Sequence, residues 1–238
     1  MKKVLLVLIL FLSCYFIYQK TSDNKLYYLT FGDYLSKGVS EYGSKTYGYN
    51  EFAIDYLRKR KQLKDYNKTF TSTDYRIIDI IKILEYNEKK DDLSLNYLIK
   101  KADIITMSIG MNELNYKIFQ NPSNIYTYID DMEISYDKIL SYINSFHHKK
   151  VFILGYYTKD KEKKDIINYA NYKLRELCSK YDFTYINIQE ILDNNPNYFT
   201  QKELFAPNLE GYQKISKIIV EKLKNNWYNI LRNFITMT

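Results

Sequence analysis

The amino-acid sequence predicts an α/β protein, a three-layer α/β/α sandwich around a five-stranded parallel sheet. Apolar runs of strand length alternate with longer segments of helical periodicity, which is the pattern of βα units. Gly32, Gly110 and Gly155 each follow one of the strand runs. A glycine there allows a sharp turn at the carboxyl edge of a sheet, where open α/β folds place their chemistry. With 238 residues, 46% of them hydrophobic, the chain can form one domain with a full core.

The predicted strands and helices follow one another along residues 25–238, which we predict to form a single domain. Strands are expected at residues 26–31, 65–70, 103–109, 150–156 and 183–188, the second having the weakest pattern. Helices are expected at residues 49–61, 75–86, 125–146, 165–181 and 209–234. Two of these helices carry an apolar stripe to bury against the sheet: Ile77, Ile78, Ile81 and Leu84, and Ile215, Ile218, Ile219 and Leu223. Residues 88–92 are expected to form a charged loop, and residues 194–203 an irregular one.

The first 24 residues have the character of an export segment. Lys2 and Lys3 precede an apolar run over residues 4–18, the order found in a secretory signal. The run is shorter than the ~20 residues that a membrane-spanning helix needs, which favours a signal peptide or a short membrane anchor. Leu12-Ser13-Cys14 also resembles the end of a bacterial lipoprotein cleavage box, in which the cysteine is lipidated. Lipoprotein and uncleaved anchor remain alternatives, and both predict an extracytoplasmic, membrane-associated domain.

Charge and cysteine content narrow the classes of partner and cofactor. Residues 25–238 carry 32 basic and 27 acidic side chains, a difference of +5. This modest excess is scattered along the sequence and broken by acids, so we expect no nucleic-acid partner. Cys178 has no second cysteine in the domain to pair with, and the adjacent His147 and His148 do not make a zinc site. We therefore predict neither a metal nor a cofactor. The 27 tyrosines indicate either biased codon usage or an aromatic binding surface.

Three blocks of sequence carry the residues that bear on activity. The first two follow predicted strands: Leu29-Thr30-Phe31-Gly32-Asp33-Tyr34-Leu35, and Ser108-Ile109-Gly110-Met111-Asn112-Glu113-Leu114. The third leads into the last helix: Phe205-Ala206-Pro207-Asn208-Leu209-Glu210-Gly211-Tyr212. In this order and at these distances, the blocks resemble the SGNH (GDSL) hydrolase family over about residues 25–230.

The resemblance implies a flavodoxin-like arrangement of the sheet and an ester-hydrolase site at its carboxyl edge. The match places Gly32, Asp33 and Gly110 around the ligand. An oxyanion hole would take the side-chain amide of Asn112 and the backbone N–H of Ser72, or of Thr71 beside it.

The positions that would carry the reaction hold other side chains. Tyr34 stands where the family has its nucleophilic serine, Ala206 where it has the histidine, and Glu203 where it has the aspartate. Hydrolysis of this kind needs a hydroxyl whose proton is taken by an imidazole that a carboxylate orients. An alanine accepts no proton, and the Tyr34 ring is expected to fill the pocket. The sequence therefore indicates a hydrolase scaffold with a degenerate active site.

Three functions remain open at this point. The first is a non-catalytic binding protein for an acyl or glycan ligand. The second is a working ester or acyl hydrolase with a rearranged nucleophile, either Ser36 or Tyr34. The third is an envelope protein-interaction module that uses the tyrosine-rich surface. His147 and His148 are expected at the amino edge of the sheet, roughly 20 Å from Tyr34, so neither is expected to act as a base.

Overall fold

The computed structural model of the chain describes residues 25–146, 150–201 and 205–235. Its strands are β1 (Leu26–Gly32), β2 (Leu63–Asn67), β3 (Lys89–Lys90), β4 (Leu93–Ser94), β5 (Ile104–Ser108), β6 (Val151–Leu154), β7 (Thr184–Ile186), β8 (Phe199–Gln201) and β9 (Phe205–Pro207). Its α-helices are α1 (Tyr34–Lys37), α2 (Tyr49–Lys59), α3 (Ile77–Glu85), α4 (Leu95–Lys101), α5 (Met111–Gln120), α6 (Ile125–Asn144), α7 (Lys164–Lys180), α8 (Ile188–Asn194) and α9 (Leu209–Ile235).

Five strands form one parallel sheet in the spatial order β2-β1-β5-β6-β7, which confirms the predicted fold class. Helix α2 packs against α9, whereas α6 packs between α3 and α7, so the helices form two layers around the sheet. The strand order reverses between β1 and β5. In open α/β sheets the carboxyl ends of strands at such a reversal form the usual binding crevice.

The strands that flank this reversal are buried along their whole length. Their sequences, LYYLTFG and IITMS, are nearly continuous apolar and hydroxyl-bearing runs, as expected for strands covered by helices on both faces. Strand β2 lies at the edge of the sheet and is mostly exposed. Its weak apolar pattern follows from this exposure, and the strand occupies residues 63–67 rather than the predicted 65–70.

Several local predictions were wrong. No helix was predicted at α1, α4, α5 or α8. Residues 88–92 lie largely in a two-stranded ribbon of β3 and β4, joined by Asp91 and Asp92, which both have positive φ as in a tight hairpin turn. Residues 194–203 include the end of α8, a short 3-10 helix (Pro196–Tyr198) and strand β8, which pairs with β9.

The apolar stripe predicted on α3 is also partly wrong. Ile77, Ile80, Ile81 and Leu84 are buried, whereas Ile78 is 40% exposed. The helix begins at Ile77, and positions i, i+3, i+4 and i+7 from there share one face. Ile78 lies about 100° around the axis from that face, since an α-helix has 3.6 residues per turn.

Some predicted features lie outside the described residues: the export segment at residues 1–24, His147, His148 and Glu203. Among the residues that are described, no helix is both long and apolar enough to cross a membrane. The same residues contain no cluster of three or more His, Cys, Asp or Glu side chains arranged to hold a metal ion. Cys178 is buried and makes no disulfide.

Candidate active site

The turn after β1 is shaped by Gly32. This residue has φ +123°, and a Cβ atom added to it would lie 1.8 Å from the carbonyl oxygen of Ser108 in β5. The backbone N–H of Gly32 donates to Phe70 O at 3.0 Å, and that of Asp33 donates to Ser108 O at 2.8 Å. Only glycine fits this close approach, so the chain leaves β1 in tight contact with its neighbour strand.

Asp33 is buried at the junction of three elements. Its carboxylate accepts hydrogen bonds from the Ser108 hydroxyl at 2.6 Å and from the backbone N–H of Leu35, at the start of α1, at 3.2 Å. The backbone N–H of Met111, at the start of α5, also donates to it. Burial raises the pKa of Asp33 to about 6, although these hydrogen bonds act in the opposite direction. Asp33 therefore holds the two turns of the crevice together.

Tyr34 is part of the protein core. It is only 3% exposed, and its hydroxyl oxygen lies 2.9 Å from that of Tyr157. The Tyr157 hydroxyl in turn donates to the carbonyl oxygen of Phe205 at 2.9 Å. Since a phenol has one hydrogen, Tyr34 is the donor to Tyr157. Burial raises the pKa of Tyr34 well above its ordinary value, so its hydroxyl stays protonated.

Ala206 is fully buried beside this contact. It lies in β9, opposite Thr200 of β8. The ring of Tyr157 packs against those of Phe199 and Phe205, with centroid distances of 4.9 and 5.4 Å. The first and third sequence blocks thus meet through Tyr157 rather than through a serine–histidine pair. Tyr157 was not among the predicted site residues, although the predicted turn at Gly155 lies two residues before it.

Asn112 and Ser72 do not present free donors to a ligand. The side-chain amide of Asn112 donates to Thr73 O at 2.7 Å and to Tyr75 O at 3.1 Å, which uses both of its hydrogens. The backbone N–H of Ser72 donates to Gly32 O at 2.9 Å. The geometry therefore does not support the oxyanion role predicted for these two residues, because each donor already has a partner in the protein.

The loop over residues 71–78 is held in place by the second sequence block. Besides the two bonds from Asn112, the carboxylate of Glu113 accepts from the backbone N–H of Ile77, the first residue of α3, at 2.9 Å. Burial raises the pKa of Glu113. Asn112 and Glu113 therefore position this loop and the start of α3. Gly110 supplies the turn before them, with φ +100°.

Ser36 lies inside a buried cluster of hydroxyl groups. It has no exposed surface, and its Oγ atom lies 2.8 Å from Ser108 Oγ and 3.0 Å from the Tyr49 hydroxyl. The Tyr49 hydroxyl also lies 3.2 Å from Thr30 Oγ1. These contacts fit a structural role, and an attacking serine needs a base and access to substrate that they do not supply.

The described surface also has concave regions away from these residues. Three cavities have volumes of about 620, 410 and 340 Å³. None of them is lined by Tyr34, Asp33, Asn112 or Ala206. The first, which we call the α2–α9 groove, is lined by Phe52, Tyr56, Tyr198, Glu210, Gln213, Lys214, Ser216, Lys217, Val220 and Lys224.

Solved structures of lipases and esterases are similar to this chain in fold. A lipase, Lip_vut3, from a goat rumen metagenome matches with a TM-score of 0.64 and 17% identity, covering 81% of this chain and 95% of the lipase. The acetylxylan esterase Axe2 from Geobacillus stearothermophilus matches with a TM-score of 0.62 and 13% identity, covering 82% of this chain and 93% of the esterase. The chain shares its fold with known esterases and lipases.

A third structure agrees, the α/β hydrolase LAE5 from the metagenome of Lake Arreo, Spain. Its TM-score is 0.60 at 17% identity, with 80% of this chain and 91% of that enzyme covered. Structures of Axe2 include catalytic mutants in which a serine, an aspartate or a histidine is replaced by alanine. No family model and no curated protein matches the sequence. At these identities the likeness shows the fold, and the side chains of the site must decide the activity.

Proposed function

We propose that this protein is an exported, membrane-tethered binding protein for a glycan or acyl ligand, which keeps the SGNH scaffold without serine-dependent hydrolysis. The observation that carries the proposal is the burial of Tyr34, whose hydroxyl is bonded to Tyr157. A nucleophile must reach the substrate, and this side chain fills the place from which it would act.

Two further positions support the loss of hydrolysis. Ala206, at the position that the resemblance assigns to the histidine, is buried. Both amide hydrogens of Asn112 are donated to carbonyl oxygens of the loop over residues 71–78. Removing members of a Ser-His-Asp unit costs on the order of 10⁴ to 10⁶ in rate, because they act together. The rival hydrolase mechanism would use Ser36, whose side chain is buried and, among the described residues, bonds to Ser108 and Tyr49, neither of which is a base.

The α2–α9 groove is the site that we propose for the ligand. Its volume of about 620 Å³ is within the range of ligand pockets. Phe52, Tyr56 and Tyr198 offer aromatic rings, and Gln213 and Lys214 offer hydrogen-bond donors. Flat rings beside polar groups suit the C–H faces and hydroxyls of a sugar. An acyl chain would need a more enclosed apolar cavity, so the groove favours the glycan.

The loss of hydrolysis is tested by labelling with a fluorophosphonate, which reacts with activated serine nucleophiles, followed by mass-spectrometric mapping. The natural protein is compared with a Tyr34→Ser/Ala206→His/Glu203→Asp variant whose folding is checked by circular dichroism. We expect no label on the natural protein and a label at residue 34 of the variant. Labelling of the natural protein at Ser36 or Tyr34 would identify a working hydrolase and refute the proposal.

Ligand binding is tested separately by calorimetric titration with xylo-oligosaccharides, soluble peptidoglycan fragments and a fatty acid. We expect an oligosaccharide to bind, Tyr56→Ala to abolish binding, and Tyr172→Ala to leave it unchanged. Tyr172 is a matched control because it is an exposed tyrosine outside the groove. Binding of the fatty acid alone, or binding that survives Tyr56→Ala, would refute the glycan site.

A further inference from the structure

The fold gathers the positive charge of the chain at one edge of the sheet. The amino edge is formed by residues 25, 58–62, 100–103, 150 and 180–182, which end helices or begin strands at the amino side of the sheet. These residues carry nine lysines or arginines and two aspartates, a difference of +7. Residues 25–238 as a whole have a net charge of only +5, so the rest of the domain has a small net negative charge. The excess that looks scattered in the sequence is concentrated in space.

Three of these cations are available to a partner. Lys59, Lys61 and Lys100 are exposed, and in the described part of the chain none of the three makes an ion pair. Two other cations of the amino edge are paired, Arg58 with Asp55 at 2.5 Å and Lys180 with Asp137 at 2.9 Å.

Aromatic side chains accompany the lysines of the amino edge. Tyr97 is 50% exposed and Phe146 is 43% exposed. The Nζ atom of Lys101 lies 5.8 Å from the Tyr97 ring, and that of Lys100 lies 4.5 Å from the Phe146 ring. Exposed aromatic rings beside basic groups are typical of surfaces that lie in the headgroup region of a bilayer.

The amino-terminal segment joins the domain at the same edge. Lys25 precedes β1, and only residues 19–24 separate it from the apolar run at residues 4–18. Six residues of extended chain span at most about 20 Å. When the apolar run is inserted in a bilayer, the amino edge is therefore held within about 20 Å of the lipid surface.

We propose that the amino edge docks onto an anionic membrane surface. The lysines and arginines contact lipid phosphates, and Tyr97 and Phe146 enter the headgroup region. The carboxyl edge, with Tyr34, then faces away from the membrane. This docking rests on the membrane tether of the proposed function, but it does not depend on whether the protein binds a glycan or hydrolyses esters.

Helix dipoles explain only part of the charge. The carboxyl ends of α2 and α4 lie at this edge, and a lysine in a last helical turn is favourable there. Residues 58–61 are four consecutive cations, and they continue beyond Lys59, the last residue of α2. The dipole effect falls off within the last turn, so it does not account for Arg60 and Lys61.

The test is hydrogen exchange with mass spectrometry on the full chain, reconstituted in vesicles of phosphatidylcholine alone or with phosphatidylglycerol. We expect peptides covering residues 58–62 and 97–103 to exchange more slowly in the anionic vesicles. A Lys59→Gln/Lys61→Gln/Lys100→Gln variant should lose this protection. A Lys45→Gln/Lys159→Gln/Lys161→Gln variant, which loses the same charge from the carboxyl edge, should keep it.

Salt and a soluble polyanion separate the remaining outcomes. About 1 M salt shortens the Debye length to about 3 Å and should remove the protection. Equal exchange in both kinds of vesicle, or protection that survives in the Lys59→Gln/Lys61→Gln/Lys100→Gln variant, would overturn the proposal. So would the same protection from a short oligonucleotide added to phosphatidylcholine vesicles, because the edge would then bind polyanions in general.

Discussion

Replacing each tyrosine of the Tyr34–Tyr157 pair by phenylalanine should cost unequal amounts of stability. Tyr34→Phe removes one hydrogen bond, and Tyr157 still donates to Phe205 O. The expected loss is about 1 kcal/mol of unfolding free energy. Tyr157→Phe removes both hydrogen bonds and leaves the buried Tyr34 hydroxyl without an acceptor. Adding the second bond and the cost of an unsatisfied buried donor gives an expected loss of about 2–4 kcal/mol.

The double variant sharpens this test. With both hydroxyls removed, no orphaned donor remains at residue 34, so the double variant should be no less stable than Tyr157→Phe alone. The assay is equilibrium unfolding in urea followed by circular dichroism, with all four proteins compared as a double-mutant cycle. A Tyr34→Phe loss equal to or larger than that of Tyr157→Phe would refute the assigned direction of the hydrogen bonds. If the stability loss of the double variant equalled the sum of the two single losses, the hydrogen bond between Tyr34 and Tyr157 would be refuted.

Three further predictions concern the same crevice. Because burial raises the pKa of Asp33 from 3.8 to about 6, the folded protein binds this proton more tightly than the unfolded chain. The unfolding free energy should therefore fall by about 3 kcal/mol as the pH rises from about 3 to about 7. Urea unfolding over a pH series should show a flatter dependence for Asp33→Asn, and an unchanged slope would contradict the assignment. Asn112→Ala should lower the unfolding free energy by about 1–3 kcal/mol and speed hydrogen exchange over residues 71–78, since two hydrogen bonds from Asn112 hold that loop. Unaltered exchange over these residues would contradict the role assigned to Asn112. Gly32→Ala should lower the unfolding free energy by more than about 4 kcal/mol, because the added Cβ would lie 1.8 Å from Ser108 O. A melting temperature like that of the natural protein would show that the turn tolerates a side chain.

The arrangement of the sheet could be predicted because it depends on local patterns. β1 and β5 are continuous buried runs, and the turns at Gly32 and Gly110 have positive φ that favours glycine. Several short helices were not predicted, because they contain too few residues to show a helical pattern of apolar side chains. Helix α4, for example, has only seven residues, too few for a clear helical period.

The candidate site could be predicted only as a set of positions. The resemblance of the three sequence blocks to the SGNH family assigned side chains to nucleophile, base and oxyanion positions, and the structure places the side chains of Tyr34 and Ala206 in the core. The partners of those side chains could not be predicted, because they are distant in the chain. Tyr34 and Tyr157 are 123 residues apart, and Asn112 is 39 residues from the Thr73 carbonyl that it binds. Hydrogen-bond partners at such separations depend on how the layers pack.

The sequence by itself determined the α/β class, the glycine turns at the carboxyl edge and the absence of a serine and a histidine from the positions that the SGNH resemblance assigns to them. Only the tertiary structure decided that Tyr34 is a buried donor to Tyr157, that Asn112 binds a loop, and that the basic residues gather at the amino edge. The physical reason is that periodicity and backbone conformation are local properties of the chain. Burial, hydrogen-bond pairing and the summed charge of an edge arise only when segments far apart in sequence are brought together.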